Sequence, residues 1–81
     1  MIDQERLDTT IRSALGLSVD EDLQRISYGT TQGWDSVGHI QLVAAIEEEF
    51  GVSLGPDDVF AMSDYQAVCE VVDGRLHGSN D

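Results

Sequence analysis

Eighty-one residues carry sixteen Asp and Glu against four Arg and no Lys, a formal net charge of −12. That length fits one domain spanning residues 1–81, with a core too modest for an enzyme cleft built from its own walls. The charge excludes nucleic acid, disfavours an anionic membrane surface and points to basic protein surfaces as partners.

Residues 3–15 form the first periodic segment: Leu7, Ile11, Ala14 and Leu15 share one face of a helix, while Glu5, Thr9 and Arg12 lie opposite. Gly16 stands where a C-terminal glycine cap belongs. A long loop follows over 16–34, in which Leu17, Val19, Leu23, Ile26 and Tyr28 supply apolar anchors and Gly29 and Gly33 flank a turn-rich approach. The second helix begins at Asp35 or Ser36, with Asp35 as N-cap, and ends near Phe50 before Gly51. On a wheel Val43, Ile46 and Phe50 centre its core face, with Leu42 and Ile40 as shoulders. Pro56 at a first helical position, followed by Asp57 and Asp58, predicts a short third helix over 56–61. Ser63 with Gln66 three residues on reads as a capping box for a last helix over 64–77. Its apolar stripe is Tyr65, Val68, Cys69, Val72 and Leu76, and residues 78–81 read as a frayed tail. Strand-like alternation is absent, so the expected fold is all-α: a small four-helix bundle of three longer helices and a short third one, with a long first loop.

Composition narrows the chemistry further. An apolar content of 41% in a periodic pattern argues for a folded chain despite the charge. Cys69 is alone, so neither an intrachain disulfide nor a thiolate cluster can form, and its place in an apolar stripe reads as inert core. Asp3, Glu5 and Asp8 leave no apolar run for a signal peptide, and no stretch approaches the roughly 20 apolar residues of a membrane span. The expectation is a soluble, cytoplasmic monomer. Asp20, Glu21 and Asp22 lack the spacing of a calcium loop, and Glu47, Glu48 and Glu49 point in different directions on a helix, so no metal site is expected.

The second helix stands apart from the others. Val37 and Ala44 fall on a strip outside its core face, beside Gln41 and Glu48 and rimmed by acids that include Glu47. That strip reads either as a second packing face or as a partner-binding face. Ser36 reads either as part of a capping arrangement with Asp35 or as a hydroxyl suited to carry an anionic group, because free N–H groups and the helix dipole favour negative charge there. As an activated nucleophile it would need an oriented base and an oxyanion site. His39, one turn on, lies in the apolar stripe and reads as a partly buried, hydrogen-bonded residue instead.

The run from Trp34 through Asp35, Ser36, Val37, Gly38 and His39 to Ile40, followed by Leu42 to Val52 with its Ala45-Ile46-Glu47-Glu48-Glu49-Phe50-Gly51-Val52 segment, resembles the acyl carrier protein family across nearly the whole chain. The resemblance implies a phosphopantetheine arm on Ser36, attached by a separate phosphopantetheinyl transferase that uses coenzyme A and magnesium. Acyl or aminoacyl groups would ride on the arm as thioesters, so the protein would be a non-catalytic carrier. It also implies that Asp35 caps the helix and helps the transferase place its metal. The second helix would be the recognition helix, giving Val37, Gln41, Ala44, Glu47 and Glu48 as the partner face. The implied partners are the transferase, an acyl- or aminoacyl-loading ligase or acyltransferase, and downstream biosynthetic enzymes with basic docking surfaces. Val37 departs from the family's leucine, and Gly38 and Gln41 stand where carriers of fatty acid synthesis commonly show acids. The lead-in is closer to discrete carriers of specialised biosynthesis. A peptidyl or aminoacyl carrier of a nonribosomal pathway, an unmodified acidic helical adaptor and a miniature serine hydrolase are the rival readings.

Overall fold

Asp3 opens α1 (Gln4–Leu15) by accepting the Arg6 N–H on its carboxylate at 3.1 Å, and Gly16 closes it in the left-handed conformation. The computed structural model describes residues 3–77, and the expected frayed tail at 78–81 lies outside them. A single 3-10 turn at Leu23–Arg25, capped by Asp22, is the one regular piece of the long loop. Then come α2 (Ser36–Phe50), α3 (Pro56–Ala61) and α4 (Tyr65–His77), so the all-α four-helix bundle expected from periodicity is what the chain forms. The described residues contain no strand, only an isolated antiparallel pairing of Ser27 with Asp64.

Leu7, Ile11 and Leu15 of α1, Leu42 and Ile46 of α2, and Val68 and Val72 of α4 make the core, each burying an apolar side chain at a gain of about 1.5–3 kcal/mol. The connections add four more side chains to it: Leu23 and Ile26 from the long loop, Trp34 from its end, and Met62 between α3 and α4. This is why the long loop can be ordered without regular structure. Of the anchors expected in it, Leu23 and Ile26 are buried and Leu17 is half-buried, but Val19 points to solvent and Tyr28 is 45% exposed.

Two expectations are corrected. The core face of α2 centres on Gly38, Leu42 and Ile46; Val43 and Phe50 are half-buried at its edge, and Ile40 is 70% exposed. Glycine contributes nothing to an apolar wheel, yet Gly38 turns the helix, because a Cβ there would lie 2.0 Å from the Gly33 carbonyl oxygen and 3.4 Å from Leu15. The second correction concerns the start of α4. Asp64 accepts the Ala67 N–H at 2.9 Å and is the cap, while the carbonyl of Ser63 holds Tyr28 N–H at 2.8 Å.

Three of the four Arg residues hold elements together. Arg6 on α1 reaches the Glu49 carboxylate of α2 at 2.7 Å and lies over the Phe50 ring. Arg12 donates to the carbonyls of Ser18 and Glu21 in the long loop. Arg75 on α4 pairs at 2.7 Å with Asp58, which also accepts the Gly55 N–H at the start of α3. Four Arg against sixteen acids leave the surface strongly acidic. No described helix is long and apolar enough to cross a membrane.

Candidate functional site

Ser36 occupies the first position of α2 and is exposed, with no hydrogen-bond partner for its hydroxyl among the described residues. Asp35, in extended backbone, accepts the Gly38 N–H on its carboxylate at 2.9 Å, and its carbonyl accepts His39 N–H at 2.8 Å. The cap leaves the amides of the first two helical positions, Ser36 and Val37, without intrahelical acceptors. An anionic group on the Ser36 oxygen would meet those N–H groups and the positive end of the dipole. The residues present therefore fit a phosphodiester at this hydroxyl.

The approach to Ser36 is held from behind. Gly29 N–H donates to the Trp34 carbonyl at 2.9 Å and Trp34 N–H to the Thr31 carbonyl at 3.0 Å, while Ser27 N–H donates to Thr31 Oγ1 and the Ser27 and Thr30 hydroxyls share a hydrogen bond. Gly33 has φ +93°, which an L side chain rarely adopts, and a Cβ there would also meet the Leu15 carbonyl oxygen at 2.6 Å. Gly33 and Gly38 thus let the lead-in, the end of α1 and the first turn of α2 approach backbone to backbone.

His39 is spoken for on both ring nitrogens. The indole Nε1–H of buried Trp34 donates to its Nδ1 at 2.9 Å, and its Nε2 lies 2.8 Å from the Val59 carbonyl at the end of α3. An indole N–H only donates and a carbonyl only accepts, so the ring is the neutral tautomer with its proton on Nε2. Trp34 stacks near it and Tyr28 meets it edge-on. With Nδ1 and Nε2 both committed, His39 has no nitrogen free to serve Ser36 as a base, and the hydrolase reading loses its second member.

On the expected partner strip, Val37, Gln41, Ala44 and Glu48 are exposed together on the side of α2 away from the core. Glu47 is half-buried and differently employed: its carboxylate accepts the Leu54 N–H at 2.8 Å and holds the connection between α2 and α3. Two large apolar residues outside the expected set extend the exposed surface, Ile40 on α2 and Phe60 on α3, the latter 83% exposed. Phe60 directly follows the residue that His39 holds. Six residues are too few for periodicity to place Phe60 on either face of α3, so no sequence signal marked it. Cys69 is half-buried, its Sγ receiving the Gln4 amide at 3.3 Å. No cluster of ligating side chains that could hold a metal ion occurs among the described residues.

The chain matches the family described as phosphopantetheine attachment site over residues 5–72. It is 36% identical over 77 residues to acyl carrier proteins of Nitratidesulfovibrio vulgaris strain DP4 and strain Hildenborough, covering 95% of this chain and 93% of each relative. An acyl carrier protein of the Miyazaki F strain is 34% identical over 55 residues, 68% of this chain and 72% of that relative. No solved structure matches the chain.

Proposed function

The chain belongs to the acyl carrier protein family, and on that premise we propose that Ser36 is the residue bearing its covalent phosphopantetheine. The protein is a carrier of acyl groups, and the arm supplies the thiol on which they ride as thioesters. The observation that carries the assignment is the exposed hydroxyl at the first position of a long helix, without a partner among the described residues, on a turn capped by Asp35.

The chain's own contribution to modification is presentation. Asp35 fixes the first turn through Gly38 N–H, so the Ser36 oxygen projects from a rigid corner, and the free N–H groups beside it favour the phosphodiester once formed. Activation of the hydroxyl is left to a separate phosphopantetheinyl transferase, because both nitrogens of His39 are engaged elsewhere. A second role for Asp35, beside the transferase's magnesium, draws on the carboxylate oxygen that does not hold Gly38.

The partner surface we assign is Val37, Gln41 and Ala44 with Glu48 at its edge, met by basic surfaces of the transferase, of a loading ligase or acyltransferase, and of downstream enzymes. Glu47 supports that face by holding Leu54. The cytoplasm is the compartment proposed, where coenzyme A and such enzymes meet a carrier, which acts there as a monomer.

Incubation of the full chain with coenzyme A, magnesium and a broad-specificity transferase tests the assignment by intact mass. The expected result is a single phosphopantetheine increment that Ser36→Ala abolishes while its circular dichroism stays that of the parent. An increment retained by Ser36→Ala would refute it.

A further inference from the structure

We propose that Trp34 and His39 are positioning residues for the loading of Ser36, joining the Ser36 turn to α3 as one preformed docking surface; this rests on the assignment of Ser36 above. Trp34 lies two residues before Ser36 and His39 three after it, so one hydrogen-bonded relay spans the modification site along the chain. From Trp34 Nε1–H the relay runs to His39 Nδ1 at 2.9 Å, and from Nε2–H to the Val59 carbonyl at 2.8 Å. One end is anchored, since Trp34 is fully buried. The other end is the residue before Phe60, whose ring is exposed, as are Val37 and Ile40 on α2.

The relay matters because α3 has few other fixings. It is six residues long, too short to be stable alone, and contributes no fully buried side chain. Arg75–Asp58, the cap at Gly55 and the Glu47–Leu54 bond hold its start; His39 and the buried Met62 that follows hold its end. Without the relay a transferase that touches both Ser36 and α3 must order α3 as it docks, and that cost falls on binding rather than on the phosphoryl-transfer step.

The test is steady-state loading of the full chain by a transferase, with the chain as the varied substrate and intact mass as the readout. His39→Phe keeps an aromatic ring and removes both hydrogen bonds; Trp34→Phe keeps a buried ring and breaks the relay at its other end. Each is expected to raise KM roughly two- to tenfold, the factor that one net hydrogen bond predicts, with kcat within about twofold. The double variant is expected to be no worse than either single one, because the two bonds form one chain. His39→Gln supplies one acceptor and one donor and is expected to restore most of the lost KM. Val72→Ala, which loosens the core from α4, is expected to leave KM unchanged. Trp34 is the only tryptophan, so its indole N–H resonance reports directly whether the relay is made.

Wild-type KM in a folded Trp34→Phe chain, which has no indole N–H to donate, or in a folded His39→Phe chain whose indole resonance shows the relay broken, would overturn the positioning role and leave Ser36 as the loaded residue. An equal rise in Val72→Ala would overturn it too, reducing the effect to general stability. If His39→Phe does not fold, the KM of a folded Trp34→Phe chain, set against that of Val72→Ala, decides. A parent chain that takes no arm, by contrast, would overturn the Ser36 assignment itself.

Discussion

Gly38→Ala sets helix propensity against packing at the turn that presents Ser36. Inside a helix, alanine in place of glycine gains about 0.8–1 kcal/mol. At this position the new Cβ would lie 2.0 Å from the Gly33 carbonyl oxygen, whereas ordinary contact begins at 3.4 Å, so backbone must retreat by about 1.4 Å. Neither neighbour yields easily. Gly33 is itself wedged against the Leu15 carbonyl, and Leu15 belongs to the core. Overpacking of this kind costs roughly 1–3 kcal/mol, and a backbone obstacle places it at the upper end. The net expectation is a loss of about 2 kcal/mol, which for a domain of this size lowers Tm by roughly 8–16 °C. Gly74→Ala is the internal control, because a Cβ there meets nothing within 4 Å and propensity acts alone. It is expected to raise Tm by roughly 3–8 °C. Thermal unfolding followed by far-ultraviolet circular dichroism at one pH and salt concentration measures both. A Gly38→Ala chain that gains stability as Gly74→Ala does would show that the lead-in does not constrain α2.

Two further outcomes follow from the geometry. Tyr65 donates to Asp8 at 2.6 Å and accepts from Gln4 at 2.7 Å, joining α4 to α1; burial, then the bond to Asp8 and the nearby charges, raise its phenol above the usual value. Above pH about 10 the unfolded phenol releases a proton that the folded one keeps, so the stability Tyr65 contributes is complete below that pH and is lost as pH climbs further. Urea midpoints measured from neutral to alkaline pH are expected to fall less steeply in Tyr65→Phe, and parallel curves would exclude this coupling. Glu48→Arg reverses an exposed acid on the partner strip and is expected to raise the KM of a partner enzyme roughly two- to fivefold at low salt, with the difference shrinking as salt screens it. A ratio constant across a salt series would remove Glu48 from the docking face.

The helix ends were legible because their signals are local. Gly16, Asp35, Gly51 and Pro56 each act on backbone groups within one turn, and α1 stops, α2 starts and stops and α3 starts where those residues place them; Asp3, read as the first helical residue, is the cap before α1. The start of α4 was one residue off because two hydroxyl- or carboxyl-bearing candidates, Ser63 and Asp64, stand side by side. Only the pairing of the long loop with residue 63, from far along the chain, decides between them. Ser36 could be found from its motif, since a capping aspartate and a serine opening a helix are sequence-adjacent. What braces Ser36 could not be found in this way. Trp34 and His39 carry no periodic signal that links them, and their third member is a backbone carbonyl twenty residues past His39.

The same distinction separates Glu47 from Glu48. They are neighbours with equal charge, and on sequence both belonged to one acidic rim. In the fold Glu47 turns back on the Leu54 amide and is half-buried, while Glu48 stays in water. An acid that satisfies a backbone N–H contributes to the position of α3; an acid left solvated contributes to long-range attraction of a basic partner. The face around Ser36 therefore has two physical parts. Its field comes from exposed acids, since four Arg stand against sixteen Asp and Glu in the chain. Its shape comes from contacts that no charge count records: the Gly33–Gly38 approach, the Trp34–His39–Val59 relay and the Glu47–Leu54 bond. Salt weakens the first part and leaves the second almost untouched, so partner binding at high salt measures the shape alone.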